Sequence, residues 1–193
     1  MKPEASIIYT FSSDRLYLQQ RTMAHMEAEF RGLDLEFVPI LNDAKPWNEC
    51  KGKNLGARHA TSDLLIFTNC DIIIPRHTIQ AALKHFQEHP RCVCGCIRLD
   101  EQADGLSVVN RHALGDFQAI PKEVFWEVGG FDERMTGWGY LDYDLFDRIQ
   151  KIGVPLVMLG CDCTVTHCWH PRLSDEEYRA MNKRNREIAL CET

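Results

Sequence analysis

The chain has 193 residues, 45% of them hydrophobic and 26% charged, which fits one globular domain with a sizeable core. A net charge of -6 argues against a generic basic surface for nucleic acid, so an anionic ligand needs a local cluster of positive charge. No stretch approaches the roughly 18 apolar residues of a membrane span. The opening MKPEASIIYTFSSDR has no long apolar core of a secretion signal. Nine cysteines, an odd number, and the lack of any N-x-Ser/Thr sequon read as a reduced, cytoplasmic protein with free thiols.

In chain order, ASIIYTF (5–11) predicts a buried strand, and Ser12 or Ser13 a cap for a helix over about 14–30. LEFVPIL (35–41) predicts a second strand ending at Asn42-Asp43. A loop over 44–53 and a short helix near 54–62 lead to a central strand, DLLIFTN (63–69). Pro75 suits the first turn of a helix running to about His89. CVCGCIRL (92–99) predicts one more strand, followed by a polar loop to about 114. A short strand (116–120), a helix opened by proline (121–128), and a loop with four glycines (129–139) follow. A helix over 140–152 is closed by Gly153. Strands over 155–159 and 163–167 come next, and Ser174 with Glu177 predicts a capping box on the last helix.

Strands alternate with helices through residue 99, which predicts an α/β fold: a central, mostly parallel sheet flanked by helices. Ligands of such sheets bind beyond the carboxyl ends of the strands. Those ends are Thr10–Asp14, Asn42-Asp43, Asn69–Asp71 and His167, an oxygen-rich crevice suited to a cation. CVCGC and CDC raise a zinc reading, but C-x-C spacing matches zinc loops poorly. In a strand, Cys92, Cys94 and Cys96 would share one buried face.

KNLGARHATSDLLIFTNCDIIIP resembles the donor-binding centre of GT-A fold glycosyltransferases, whose single domain is Rossmann-like. GDFQAIPKEVFWEVGGFDERMTGWGYLDYDLFDRIQKIG resembles the C-terminal segment of galactosyltransferases and polypeptide N-acetylgalactosaminyltransferases. The resemblance covers about residues 5–170 and implies one domain. Residues 1–99 would bind the nucleotide sugar, 100–173 the acceptor, and 174–193 would form a closing helix.

It implies a UDP-sugar donor, a glycan or other hydroxyl acceptor, and Mn2+ or Mg2+. That family's DxD motif holds the metal. Here the motif reads Asn69-Cys70-Asp71, so Asp71 is the expected ligand, with His167 as its partner and His170 as a nearby competitor. Thr10, Phe11 and Arg15 would face uracil and ribose, and Asp43 the uracil edge. Lys53, Asn54, Arg58 and Asn69 would line the diphosphate side.

Gly137, Trp138 and Gly139 would form the acceptor wall, with the indole stacked on a sugar face. Asp142 matches the general base of inverting members, while Asp144, about 200° round a helix, would serve the helix dipole. Leu141 stands where the family carries a glutamate. It falls on an apolar stripe with Leu145, Ile149 and Ile152. The departures at Asn69 and Leu141 keep a non-catalytic, nucleotide-sugar-binding or glycan-binding descendant open as the alternative. A nucleotidyltransferase is weaker, since TFSSDR has no glycine for a phosphate loop.

Overall fold

The computed structural model of the chain describes residues 2–110, 114–171 and 173–191. Strands β1 (Ala5–Phe11) and β2 (Leu35–Leu41) pair in parallel, with Ala5 opposite Leu35. Between them a short 3-10 turn leads into helix α1 (Leu16–Glu29). Neither Ser12 nor Ser13 caps α1 as expected. The Ser12 hydroxyl donates to Asp14 and the Ser13 hydroxyl donates to Asp43, and the start of α1 carries no side-chain cap.

Helix α2 (Glu49–His59) starts five residues before the expected 54, because the Asn48 side chain accepts from the Lys51 amide at 2.8 Å. Its two glycines allow close approach to β1. A Cβ on Gly52 would stand 2.6 Å from Thr10 Cγ2, and one on Gly56 would collide with Ile8.

β3 (Leu64–Asn69) lies parallel to β1 on the side away from β2. After β4 (Ile72–Ile73), Pro75 caps α3 (Arg76–Glu88). The strand expected over 92–99 breaks at Cys96. β5 (Val93–Gly95) stays in the first sheet, and β6 (Ile97–Glu101) enters a second one, where it pairs with β7 (Ser107–Asn110) inside the expected loop.

β8 (Gln118–Pro121) precedes α4 (Lys122–Glu127). α5 (Leu141–Lys151), β9 (Leu156–Met158), β10 (Thr164–His167) and α6 (Asp175–Leu190) complete the described elements. The six-stranded sheet runs β2-β1-β3-β8-β5-β9, parallel throughout except that β8 opposes both neighbours. The second sheet runs β4-β10-β6-β7.

Alternation along the strands separates two cores. Ile7, Tyr9, Leu64 and Ile66 face one side with Met26 of α1 and Ile79 of α3. Ile8, Leu65, Phe67 and Ile120 face the other with Ala57, Phe125, Leu145 and Ile149 of α2, α4 and α5. Leu141 belongs to this second core, as its stripe predicts, but Ile152 lies past the end of α5 and is exposed. Gly153 closes α5 at φ 78°, and Ser174 and Glu177 form the expected capping box.

Cys70, Cys94, Cys96 and Cys163 lie in the first core. Burial pushes the Cys70 and Cys94 thiols up to about 12, so they stand as neutral packing groups. Among the described residues, no helix is long and apolar enough to cross a membrane.

Candidate active site

The two sheets meet just beyond the end of β3. His167 pairs with Ile72, and the Cys168 amide donates to the Asp71 carbonyl at 2.7 Å, so the end of β10 is locked beside Asp71. Asp71 is 4% exposed. Its Oδ2 lies 3.0 Å from His170 Nε2, 3.2 Å from Arg15 Nη1 and 3.7 Å from His167 Nε2. Burial alone would raise this carboxyl. The His170 contact, the second imidazole and Arg15 outweigh it and hold Asp71 below the usual range.

The donor set fits a divalent cation. One carboxylate and two imidazoles offer ligand atoms within 4.8 Å of one another. Asp71 Oδ1 is buried with no hydrogen-bond partner. His170 Nδ1 lies 2.8 Å from the Pro171 carbonyl, which can only accept, so Nδ1 carries a proton. On a neutral ring the Nε2 lone pair then faces a carboxylate oxygen at 3.0 Å, an arrangement relieved by a proton or a cation. His170, considered only as a competitor to His167, is thus the closer of the two to Asp71. Burial lowers His167, with Asp71 opposing, which favours the neutral ligand form.

Asn69, where the resembling family carries its first carboxylate, donates from Nδ2 to Asp116 Oδ1 at 2.9 Å. Asp116 is also paired with Arg98 at 2.5 Å, and Arg98 reaches Asp100 at 2.8 Å. None of these three was singled out in the sequence. Asp116 stands in the segment before β8, far from residue 69 in the chain, and only antiparallel pairing of β8 with β3 brings them together.

At the other strand ends, Asp43 accepts from the Ser13 amide at 2.8 Å and from its hydroxyl at 2.6 Å. Those bonds hold Asp43 below the usual carboxylate range and tie the loops after β1 and β2 together. Thr10 is buried against Gly52, and Phe11 is half-buried. The three α2 residues expected beside a diphosphate are engaged within the protein. Lys53 is 1% exposed and bonded to Glu49 at 2.6 Å. Burial would lower Lys53, but Glu49 and then Asp142 hold it raised. Asn54 is buried and clamps Phe131, donating to its carbonyl at 2.8 Å and accepting from its amide at 2.9 Å. Arg58 is exposed, 3.4 Å from Glu133 and stacked over Trp126.

The Gly137–Gly139 loop is gripped from both sides. The Gly137 amide donates to the Trp47 carbonyl at 2.7 Å, and the Trp47 and Trp138 rings stack with centroids 6.2 Å apart. Arg15 lies over the Trp138 ring at 5.7 Å, linking it to Asp71. From α6, Asn185 is fully buried and donates to the Gly139 carbonyl at 3.0 Å. Gly137 and Gly139 have φ of 74° and 87°, and Cβ atoms there would strike Met181 and Asn182. The glycines therefore serve the close approach of α6, a constraint the sequence does not display.

Asp142 opens α5, half-buried, and its Oδ1 accepts from Gln118 Nε2 at 2.5 Å. Burial raises it to about 6, with Lys53 opposing and Glu49 and Asp116 adding to the rise. A carboxyl raised in this way is suited to accept a proton near neutrality. Asp144 is in the same turn, but its carboxylate is taken by Arg148 at 2.6 Å. Arg148 also donates to the carbonyls of Val128 at 2.6 Å and Gly130 at 2.8 Å, so Asp144 braces the glycine loop besides favouring the helix start.

Comparison with known proteins agrees with this architecture. The family model described as glycosyl transferase family 2 matches residues 33–149, more than half of the chain. Validoxylamine A glucosyltransferase of Streptomyces hygroscopicus subsp. jinggangensis (strain 5008) is 33% identical over 89 residues, covering 34% of this chain and 21% of that protein. The chain thus spans about a fifth of the curated relative it matches. A mannosyltransferase from Pyrobaculum calidifontis, solved with GDP-Man and Mn2+, superposes at TM-score 0.72 with 15% identity, covering all of this chain and 64% of that one. The catalytic domain of Drosophila beta1,4galactosyltransferase 7, solved with xylobiose, gives TM-score 0.65 with 15% identity over 93% of this chain and 79% of that one. The chain belongs to glycosyl transferase family 2 and has the GT-A fold.

Proposed function

We propose that the chain moves a sugar from a nucleotide-diphosphate sugar, with uracil as the base, to a hydroxyl of a glycan or another acceptor, with inversion and the aid of a divalent cation. The observation that carries this reading is the Asp71–His167–His170 group at the meeting of the two sheets. Mn2+ or Mg2+ held there would offset the negative charge that grows on the departing diphosphate.

The protein's own groups supply the rest. Thr10, Phe11, Arg15 and Asp43 stand at strand ends, where uracil and ribose would lie. Trp138, whose ring is braced by Trp47 and Arg15, would stand on the acceptor side of the site. Asp142 takes the acceptor hydroxyl's proton while the acceptor oxygen bonds to the anomeric carbon and the bond from that carbon to the diphosphate breaks. Carboxyl burial that places Asp142 at about 6 leaves it mostly ionised at neutral pH, yet basic enough to help.

A binding protein without turnover is the second reading. The buried Leu141 favours it, since an apolar side chain makes no polar contact with an acceptor. A donor screen separates the two. Incubation with UDP-, GDP- and CMP-sugars plus Mn2+ should release UDP in preference to other nucleotides, faster when glycan acceptors are added. Release of GDP or CMP instead would overturn the uridine assignment. Nucleotide binding without release from any donor would favour the second reading.

A further inference from the structure

Gln118 is a polar side chain with no exposure, in the middle of the six-stranded sheet, opposite Phe67 of β3 and Gly95 of β5. Sheet cores rarely hold an amide without a polar partner. Alternation puts Gln118 on the same face as Ile120, the face packed by α2, α4 and α5. There its Nε2 donates to Asp142 Oδ1 at 2.5 Å. Its own Oε1 is buried with no partner. The amide therefore leaves its acceptor unpaired while its donor serves the carboxylate. The reverse orientation would press two oxygens together at 2.5 Å. Gly115 completes the cradle, since any Cβ there would overlap the Asp142 carboxylate.

We infer that Gln118 is a positioning residue for the transfer reaction: its amide fixes the Asp142 carboxylate in one orientation, with Gly115 leaving the space, so that the other oxygen is presented to the acceptor hydroxyl. This rests on the reading of Asp142 as the base. A hydrogen bond to the ionised form also favours that form. The other charged groups that bear on Asp142 are Lys53 and Glu49 of α2 and Asp116 ahead of β8, and Gln118 is the neutral donor among them.

The test is a carbon NMR titration of the aspartate carboxyls in the full chain, with Asp142 assigned by the signal lost in Asp142→Asn. UDP release from UDP-galactose, UDP-glucose and UDP-N-acetylgalactosamine is measured in parallel. Gln118→Met keeps the length and removes the donor. Gln118→Glu keeps the shape and sets an acid against an acid, so it guards against misfolding in the first variant. The Asp142 carboxyl, near 6 in the wild type, should titrate at higher pH in both variants. For the sugar that turns over, kcat should fall about tenfold or more with the donor KM unchanged.

An unmoved titration in the folded variants would overturn the inference alone, leaving Asp142 as base if Asp142→Asn is inactive. Full transfer by Asp142→Asn would overturn the base reading, and this inference with it.

Discussion

Asn69 donates its amide to Asp116 at 2.9 Å, so the strand end that carries Asp71 is met by a carboxylate from the segment before β8. Restoring an acidic pair by Asn69→Asp would set two carboxylates side by side, and one would have to hold a proton or repel the other. The single change should lower stability by about 1–3 kcal/mol in denaturant unfolding and leave Mn2+-dependent UDP affinity no better than wild type. Exchange of the pair, Asn69→Asp with Asp116→Asn, should recover most of that stability. Equal losses in the single and exchanged variants would show that the two side chains are not coupled.

Asp142 makes an opposite prediction for stability and for activity. Folding raises its carboxyl from 3.8 to about 6, so the fold favours the protonated form. That contribution is fully present below about pH 4 and is lost as pH rises through 6. Asp142→Asn, which cannot ionise, should therefore be more stable than wild type at pH 7.5, by up to about 3 kcal/mol, and near wild type at pH 4. Transfer by the same variant should fall about 100-fold or more, and the wild-type kcat/KM should rise with pH through about 6. Thermal melts at the two pH values and a rate profile check both halves.

Asn185 of α6 joins the Gly137–Gly139 loop, proposed to face the acceptor, by donating to Gly139 and accepting from the Thr136 amide at 3.3 Å. Asn185→Ala would leave buried loop groups unpaired, at about 2–4 kcal/mol. The denaturant midpoint should drop and the acceptor KM should rise, while UDP affinity holds. A raised UDP dissociation constant with an unchanged acceptor KM would contradict the loop assignment.

Much of the fold was legible where local signals were strong. The apolar runs of β1 and β3 and the Gly153 closure of α5 all announce themselves within a few residues. The start of α2 was not, because Gly52 reads as a loop residue until β1 is known to lie against it. The split of 92–99 between two sheets was hidden for a similar reason: only long-range pairing with β8, β9 and β10 decides where each half goes. Within the candidate site, Asp71, His167 and Asp142 stand at positions that the resemblance singles out. Asp116, Gln118 and Asn185 do not, since each acts on a residue brought near by tertiary packing.

The metal group is most directly tested by calorimetry of UDP binding to the full chain with Mn2+, with chelator, and with Asp71→Ala, His167→Ala and His170→Ala in Mn2+. A cation shared between protein and diphosphate couples their binding energies. The expected result is tight binding only for the wild type with Mn2+, with Asp71→Ala matching the chelated protein and each histidine variant weakened about tenfold or more. Equal UDP affinity in all five cases would contradict the assignment of Asp71, His167 and His170 as the centre of this site.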